Sequence, residues 1–407
     1  MKILISVVLI ILIAILMPAH AGQLAPDPNA GTIIVGGSSE NDHTPFTNNG
    51  TVQIDTGGTL DNTGSLHNFG TVNNSGALTN SGSLTNDSGG TLNIHSGGTL
   101  NNHSVLNNES GATLNNYSGG TLNNQSGSTL NNSGTLNNSG TLNNSGTLNS
   151  ADVLNNSGVL NNCAGGTLFN QLGAVLSNRP GGTLNSSGTF TNNGTLDNYA
   201  GATLNNSDWL FNWGTLNNSG TVTNSGTLYN YTALINNGTF TNNGTFTSFV
   251  GATFTNTGTF ANNGTFTNGG TFVNTGTLTG TGTIIGDITN SGAIAPGNLV
   301  GTMTITGNYT HNATATYQVE VNNTGQSDRL AVTGTATLNG GTVSLQTRSG
   351  VYHMNTTYTI LSAGSVAGTF GSVTSDLAFL TPSLSYDPTH VYLLSPATPP
   401  ASPMWPS

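Results

Sequence analysis

The 407-residue sequence predicts an all-β chain wound as a parallel β-solenoid. Three observations predict it. Short units such as "NNSGTL" recur through most of the chain. Successive units are six or eight residues long, so the large apolar residue of each unit always falls on an even number. Every unit also carries an Asn-Ser-Gly type turn, which opposes helix.

The ladder runs from Phe46 and Val52 through Leu60, Leu66, Val72, Leu78 and Leu84. It continues by Leu136, Leu184, Phe190, Leu216, Phe240 and Phe266 to Ile284. Side chains alternate faces in a strand with period 2, so a two-residue expansion such as "SGGTLNN" keeps the apolar position on the same side. In a helix the same expansion would rotate it away. "TLN" therefore reads as a short strand with leucine pointing inward and threonine outward. "NSG" reads as the turn, with Asn and Gly tolerating left-handed backbone angles. One unit cannot order itself: six backbones cost about 6 to 12 kcal/mol, and one buried leucine returns about 1.5 to 3. Stacking closes the deficit by pairing each coil with the next, and stacked asparagines at the corners add side-chain ladders. Three units make a coil of about 18 to 22 residues, and residues 46–284 make roughly a dozen coils. The frequent eight-residue units favour the right-handed form over a left-handed helix of strict hexapeptides.

The segments before and after follow from composition. Lys2, the apolar run "ILISVVLIILIAILM" and the A-x-A site at Ala19–Ala21 read as a secretory signal over residues 1–21. The run is shorter than the roughly 20 residues a membrane-spanning helix needs. A lead-in occupies 22–45. Beyond Ile284 strands lengthen and alternate, with turns at Pro296-Gly297 and Asn339-Gly340, which reads as last coils plus a β-rich cap over 285–395. A cap covers the open sheet edge that would otherwise pair with another chain. A proline-rich tail, 396–407, ends the chain.

Composition excludes several functions. Only 5% of residues are charged and the formal net charge is -11. Without Lys2 the cations are Arg179, Arg329 and Arg348, against 15 acids. Three scattered arginines cannot follow a phosphate backbone, so nucleic acid is not an expected partner. The single cysteine, Cys163, can form no intramolecular disulfide and has no basic neighbour in sequence to activate it. Asp55, Asp61, Asp87, Glu109, Asp152, Asp197 and Asp208 are spread along the axis and read as solvated turn acids. Of these, only Asp55 and Asp61 could come near each other on adjacent faces, and a catalytic pair needs about 5 to 10 Å. No G-x-S-x-G or G-D-S-G nucleophile motif occurs. His67, His95 and His103 are the clustered histidines, too few for a zinc site of three or four ligands and read as surface residues. We therefore assign no catalytic, cofactor-binding or metal-binding residue, no cofactor and no enzymatic activity. The many N-x-[ST] triplets read as a by-product of the repeat.

The order "GAIAPGN", "GTMTITGNYT", "YQVEVN", "SDRLAVTGTATLNGGTV", "YTILSAGSVAGTF", "LSYDPTHVYL" over about 277–395 resembles the C-terminal passenger region of pertactin-like bacterial autotransporters. That resemblance implies a right-handed β-helix displayed on a Gram-negative surface or released, often acting in adhesion or aggregation. "SDR" (Ser327, Asp328, Arg329) matches this pattern as a structural turn. A translocator β-barrel would follow in such a protein, and the thirteen residues after Leu394 are too few for one.

The sequence thus points first to an exported adhesive rod, binding glycans or proteins of host or neighbouring cells or associating with itself. An ice-binding solenoid is the alternative, motivated by T-x-T triplets starting at 189, 221, 239, 245, 253 and 265. We expect these not to share one face, because they do not recur every 18 to 20 residues. A glycan-degrading β-helix enzyme is the third reading, disfavoured by the scattered acids.

Overall fold

The computed structural model describes residues 22–42, 45–297, 300–322, 324–347, 356–376 and 382–394. The signal segment and the proline-rich tail lie outside the described residues. The chain is a right-handed parallel β-solenoid. Among the described residues three sheets of 17, 17 and 18 strands form its sides. The first sheet starts at Thr32–Val35, the second at Ser38–Asn41 and the third at Pro45–Asn48. Each strand pairs in parallel with the strand three units later, so one coil visits each face once. Seventeen coils at about 4.8 Å give a rod on the order of 80 Å long.

Stacking begins before the apolar ladder does. Thr32–Val35 lies in register with Thr51–Ile54, and Gln23 and Asn29 bridge to Glu40 and Asn48. Residues 22–42 thus already stack against the coil that follows.

The repeat unit is a four-residue strand. In Thr141–Asn144 the pattern is half-buried, buried, half-buried, buried. Leu142 points inward as the parity argument requires, and so does Asn144, with both fully buried. The asparagine is thus an interior residue, where the sequence suggested only a corner ladder. Its burial is possible because each amide is satisfied by the next coil. Asn124 Nδ2 donates to Asn144 Oδ1 at 2.8 Å and to the Thr147 carbonyl at 2.9 Å. Asn144 repeats this onto Asn162 and Thr167. From Asn48 to Asn274 stacked asparagines lie 18 to 24 residues apart, the length of a coil of three six-residue units through three eight-residue units.

The two corner types use glycine for different reasons. In eight-residue units the first glycine of the pair is left-handed, as at Gly119 with φ +78°. In six-residue units it is not. A Cβ on Gly140 would lie 2.3 Å from the Gly120 carbonyl oxygen of the coil below. That corner therefore needs glycine for close approach between coils, which corrects the left-handed reading of "NSG".

From Phe240 to Phe272 the three interior columns turn aromatic. Rings stack along each column, Phe240 on Phe260 at 5.1 Å, Phe246 on Phe266 at 4.7 Å and Phe254 on Phe272 at 4.9 Å. Edge-to-face contacts join the columns, such as Phe254 with Phe260 at 4.9 Å.

After Ile284 the coils continue with strands of three to six residues. Thr316–Val321 and Thr342–Thr347 pair over six residues, and Tyr317, Val319 and Val321 are buried. The interior parity is no longer constant here: it is odd at Tyr317, Val319 and Val321, even at Leu330 through Leu338 and odd again at Val343 and Leu345, because the connections no longer keep even length. The third sheet ends in an antiparallel hairpin, Ser383–Tyr386 with His390–Leu394, laid against Thr357–Ser362. Asp387 holds its turn, accepting from the Thr389 and His390 amides and from the Tyr392 hydroxyl at 2.8 Å. Those hydrogen bonds, the Thr389 amide first, hold its carboxyl well below the usual range.

Candidate functional surface

With leucine and the second asparagine turned inward, each strand offers its first and third residues outward. The third residue builds external ladders. On the first face Asn93, Asn115, Asn137 and Asn155 each donate Nδ2 to Oδ1 of the asparagine one coil below, all at 2.9 Å, starting from Asn73. Arg179 closes the top of this ladder, donating Nε and a guanidinium N–H to Asn155 Oδ1 at 3.1 and 2.8 Å. The second face has the longest run, from Asn101 through Asn123, Asn143, Asn161 and Asn185 to Asn205. The third face has Asn107, Asn131 and Asn149. External amides thus donate toward the N-terminal end and internal ones toward the C-terminal end. Each external rung also keeps one N–H that the ladder does not use.

The acids are not brought together as the sequence allowed. Asp61 lies in register with Glu40 of the coil below, not with Asp55. Asp55 sits in the corner after Thr51–Ile54, its carbonyl accepting from the Gly58 amide. Asp197 accepts from Asn217 at 2.8 Å. The histidines separate too. His67 faces Asp87 at 3.1 Å, His95 stacks on Tyr117 at 5.3 Å, and His103 is exposed. Among the described residues no group of three or more His, Cys, Asp or Glu is placed to hold a metal. Cys163 is a free, half-buried thiol in an eight-residue corner, 3.8 Å from the Asn161 carbonyl oxygen. Asp328 of "SDR" is buried and accepts from the Gly301 and Glu320 amides, both at 2.8 Å, tying two coils together.

The threonine triplets correct our expectation. Thr221 and Thr223 lie directly beneath Thr239 and Thr241, and the second face continues with Thr259 and Ala261, then Thr277 and Thr279. On the third face Thr245 and Thr247 lie beneath Thr265 and Thr267. Separations of 18 and 20 residues are single coils here, so these triplets do share faces.

Sequence reasoning also missed an external aromatic cluster on the third face, just where the asparagine ladder gives way. Trp209, Phe211 and Trp213 occupy successive outward positions, and Tyr229 and Tyr231 lie one coil above, followed by Phe249. The parity rule contained the signal: odd residues in this stretch point out. Trp213 stacks on Tyr231 at 3.6 Å with parallel planes, and Tyr231 on Phe249 at 4.5 Å. Trp209 and Phe211 lie 5.9 Å apart in nearly parallel planes. Trp209 is 41% exposed and Trp213 52%. Burial among these rings raises the Tyr231 hydroxyl pKa, with the neighbouring Tyr229 adding to it.

Among the described residues no helix is long and apolar enough to cross a membrane. No curated protein matches the chain. Among solved structures it is similar to a crystallised TibA fragment hyper-glycosylated by TibC, at 18% identity and a TM-score of 0.21, covering 81% of this chain and 96% of that one. The haemagglutinin repeat model matches residues 29–104, 105–171, 164–230 and 214–295. These four copies run without a gap from residue 29 to 295, well over half the chain, and coincide with the stacked units described above. The chain belongs to the haemagglutinin-repeat family.

Proposed function

We propose that this chain is an exported, non-enzymatic rod of the autotransporter-passenger kind, at the cell surface or secreted, working in adhesion or aggregation. The observation that carries this reading is the external amide ladder. It repeats the same hydrogen-bonding group once per coil on a rigid scaffold. Single rungs bind weakly, but a row of them in fixed register multiplies into avidity. The partners are glycans or proteins of host or neighbouring cells, or another copy of the rod. Family membership and the passenger-like C-terminal blocks support the same reading.

The test coats beads with the signal-free chain and scores clumping and capture on cells. Beads should clump well above an inert coated control, and 0.5 M salt should change little because the surface has few charges. Replacing Asn123, Asn143, Asn161 and Asn185 together by Thr, a residue the repeat already places there at Thr79 and Thr223, should reduce clumping. Wild-type beads that behave like the control would overturn the reading.

The stacked Thr221/Thr223, Thr239/Thr241 and Thr277/Thr279 rows favour one second reading, an ice-binding face. Thermal hysteresis at millimolar protein would establish it, and a freezing point equal to the melting point would remove it.

A further inference from the structure

We propose that the external aromatic cluster on the third face is a binding platform for an uncharged polysaccharide. This names a ligand class for the adhesive rod and rests on that reading of its function. Elsewhere the rod is covered mainly by threonine, asparagine and serine, with exposed apolar residues such as Phe69, Leu172 and Tyr199 standing apart from one another. Here six rings gather within three coils, at Trp209, Phe211, Trp213, Tyr229, Tyr231 and Phe249. Exposed apolar groups concentrated in this way mark a binding surface.

Size and charge select the occupant. Three coils by four to five residues cover on the order of 250 Å². A stable protein interface needs about 800 Å² per partner, so neither a second copy nor another folded protein is held by this patch alone. The patch contains no Lys or Arg, which removes phosphate-bearing and acidic polymers, and Asp208 beside it repels them. A pyranose suits what is left. Its axial C–H face lies on an aromatic ring, and its hydroxyls reach donors and acceptors at the rim. Thr227 and Thr245 supply that rim as the first residues of the strands above Trp209. Trp213, Tyr231 and Phe249 stack face to face along the axis at 3.6 and 4.5 Å, so their outer edges make one continuous apolar strip along which a sugar chain can lie.

The cluster reports on itself. Trp209 and Trp213 are two of the three tryptophans in the chain. Titrating the full signal-free protein with cellohexaose and with mannohexaose should change tryptophan fluorescence, and calorimetry should give saturable binding to at least one of them. Trp209→Thr with Trp213→Ser restores residues the repeat uses at these positions, so the fold should persist by circular dichroism while affinity falls at least about tenfold. Tyr231→Ser should weaken binding separately. The proposal is overturned if neither oligosaccharide binds the wild type, or if the variants bind as well. It is also overturned if only alginate, an acidic polymer, binds, or if the wild type sediments as a dimer that the tryptophan variant dissolves. Bead adhesion that persists when the wild type binds no neutral oligosaccharide would sink this site and leave the adhesive reading standing. Saturable binding by a rod that adheres to nothing would do the reverse.

Discussion

The leucine coils and the C-terminal coils solve one packing problem with different interiors. In Thr135–Asn138, Thr141–Asn144 and Thr147–Ser150 each strand buries one leucine and one amide or hydroxyl. In Thr316–Val321 each strand buries three apolar side chains and no amide. The phenylalanine coils between them keep the amide column, Asn236 to Asn256 to Asn274, while exchanging leucine for stacked rings. A narrow coil leaves room for only one large side chain per face, so half its interior must be polar and every polar group must be matched by the coil above. A wide coil can bury apolar surface without such matching. Register in the leucine region is therefore fixed by hydrogen bonding as much as by hydrophobic packing.

The largest expected effect breaks the leucine interior directly. Leu142→Asp places a charge in a fully buried column between Leu122 and Leu160. We expect a loss of more than about 4 kcal/mol, or local unfolding of adjoining coils. Thr141→Asp, one residue away on the outer side, should change stability by about 0.5 kcal/mol. Urea unfolding of both variants checks this, and equal damage would reverse the inward assignment.

The second effect belongs to the place where the two interiors meet. His311 takes the rung above Asn290 at the top of the first-face amide column, and Leu338 follows it. It is fully buried, and its Nδ1 is 2.8 Å from the Tyr309 hydroxyl. Burial lowers its pKa to about 4. The folded value lies below the unfolded one, near 6.5, so the unfolded chain takes up the proton first. This contribution to stability is complete above pH 6.5 and drains away as the pH falls toward 4, by about 3 kcal/mol. His311→Asn, which extends the amide column, should flatten the melting temperature between pH 7 and pH 4.5. An unchanged slope would remove His311 as its source.

A smaller effect sharpens the contrast in interior chemistry. Aromatic pairs add about 0.5 to 1.5 kcal/mol beyond the area they bury. In hydrogen exchange on the intact chain, amides of 240–345 should outlast those of 60–234 by about tenfold or more. Equal protection along the rod would mean that the amide columns alone set its stability.

How legible this was in the sequence differs between the two interiors. Period-2 parity placed Leu60 through Ile284 inside, because every connection has an even number of residues and a strand reads only odd from even. The same rule would have turned Asn144 inward and Trp209, Phe211 and Trp213 outward, but asparagine reads as a turn former and aromatics read as core. The reason for glycine at Gly140 was not local at all. It lies in the carbonyl of the coil below, which no window of sequence contains. The threonine rows were legible: the triplets at 221 and 239 lie 18 residues apart and those at 245 and 265 lie 20 apart, each one coil, and only the uneven spacing of the others hid them.

The smallest effect repairs a missing rung. Serine replaces the inner asparagine at Ser150, Ser186 and Ser248. Asn132 Nδ2 still reaches Ser150 Oγ, at 3.4 Å, yet the short side chain donates nothing to the next coil. Asn170 directly above is left with a buried Oδ1 that has no partner, and so is Asn206 above Ser186. An unmatched buried carbonyl costs more than a formed hydrogen bond gains. Ser150→Asn rebuilds the column from Asn132 to Asn170. The added amide enters a site the neighbouring coils already shape for it, between Asn132 below and Asn170 above. We expect about 1 kcal/mol of added stability, seen as a higher melting temperature and slower exchange in the coils around Leu148 and Leu168. A decrease would show that the serine coil has closed in and no longer accepts an amide. It would also make the serine rungs points where the leucine rod changes cross-section.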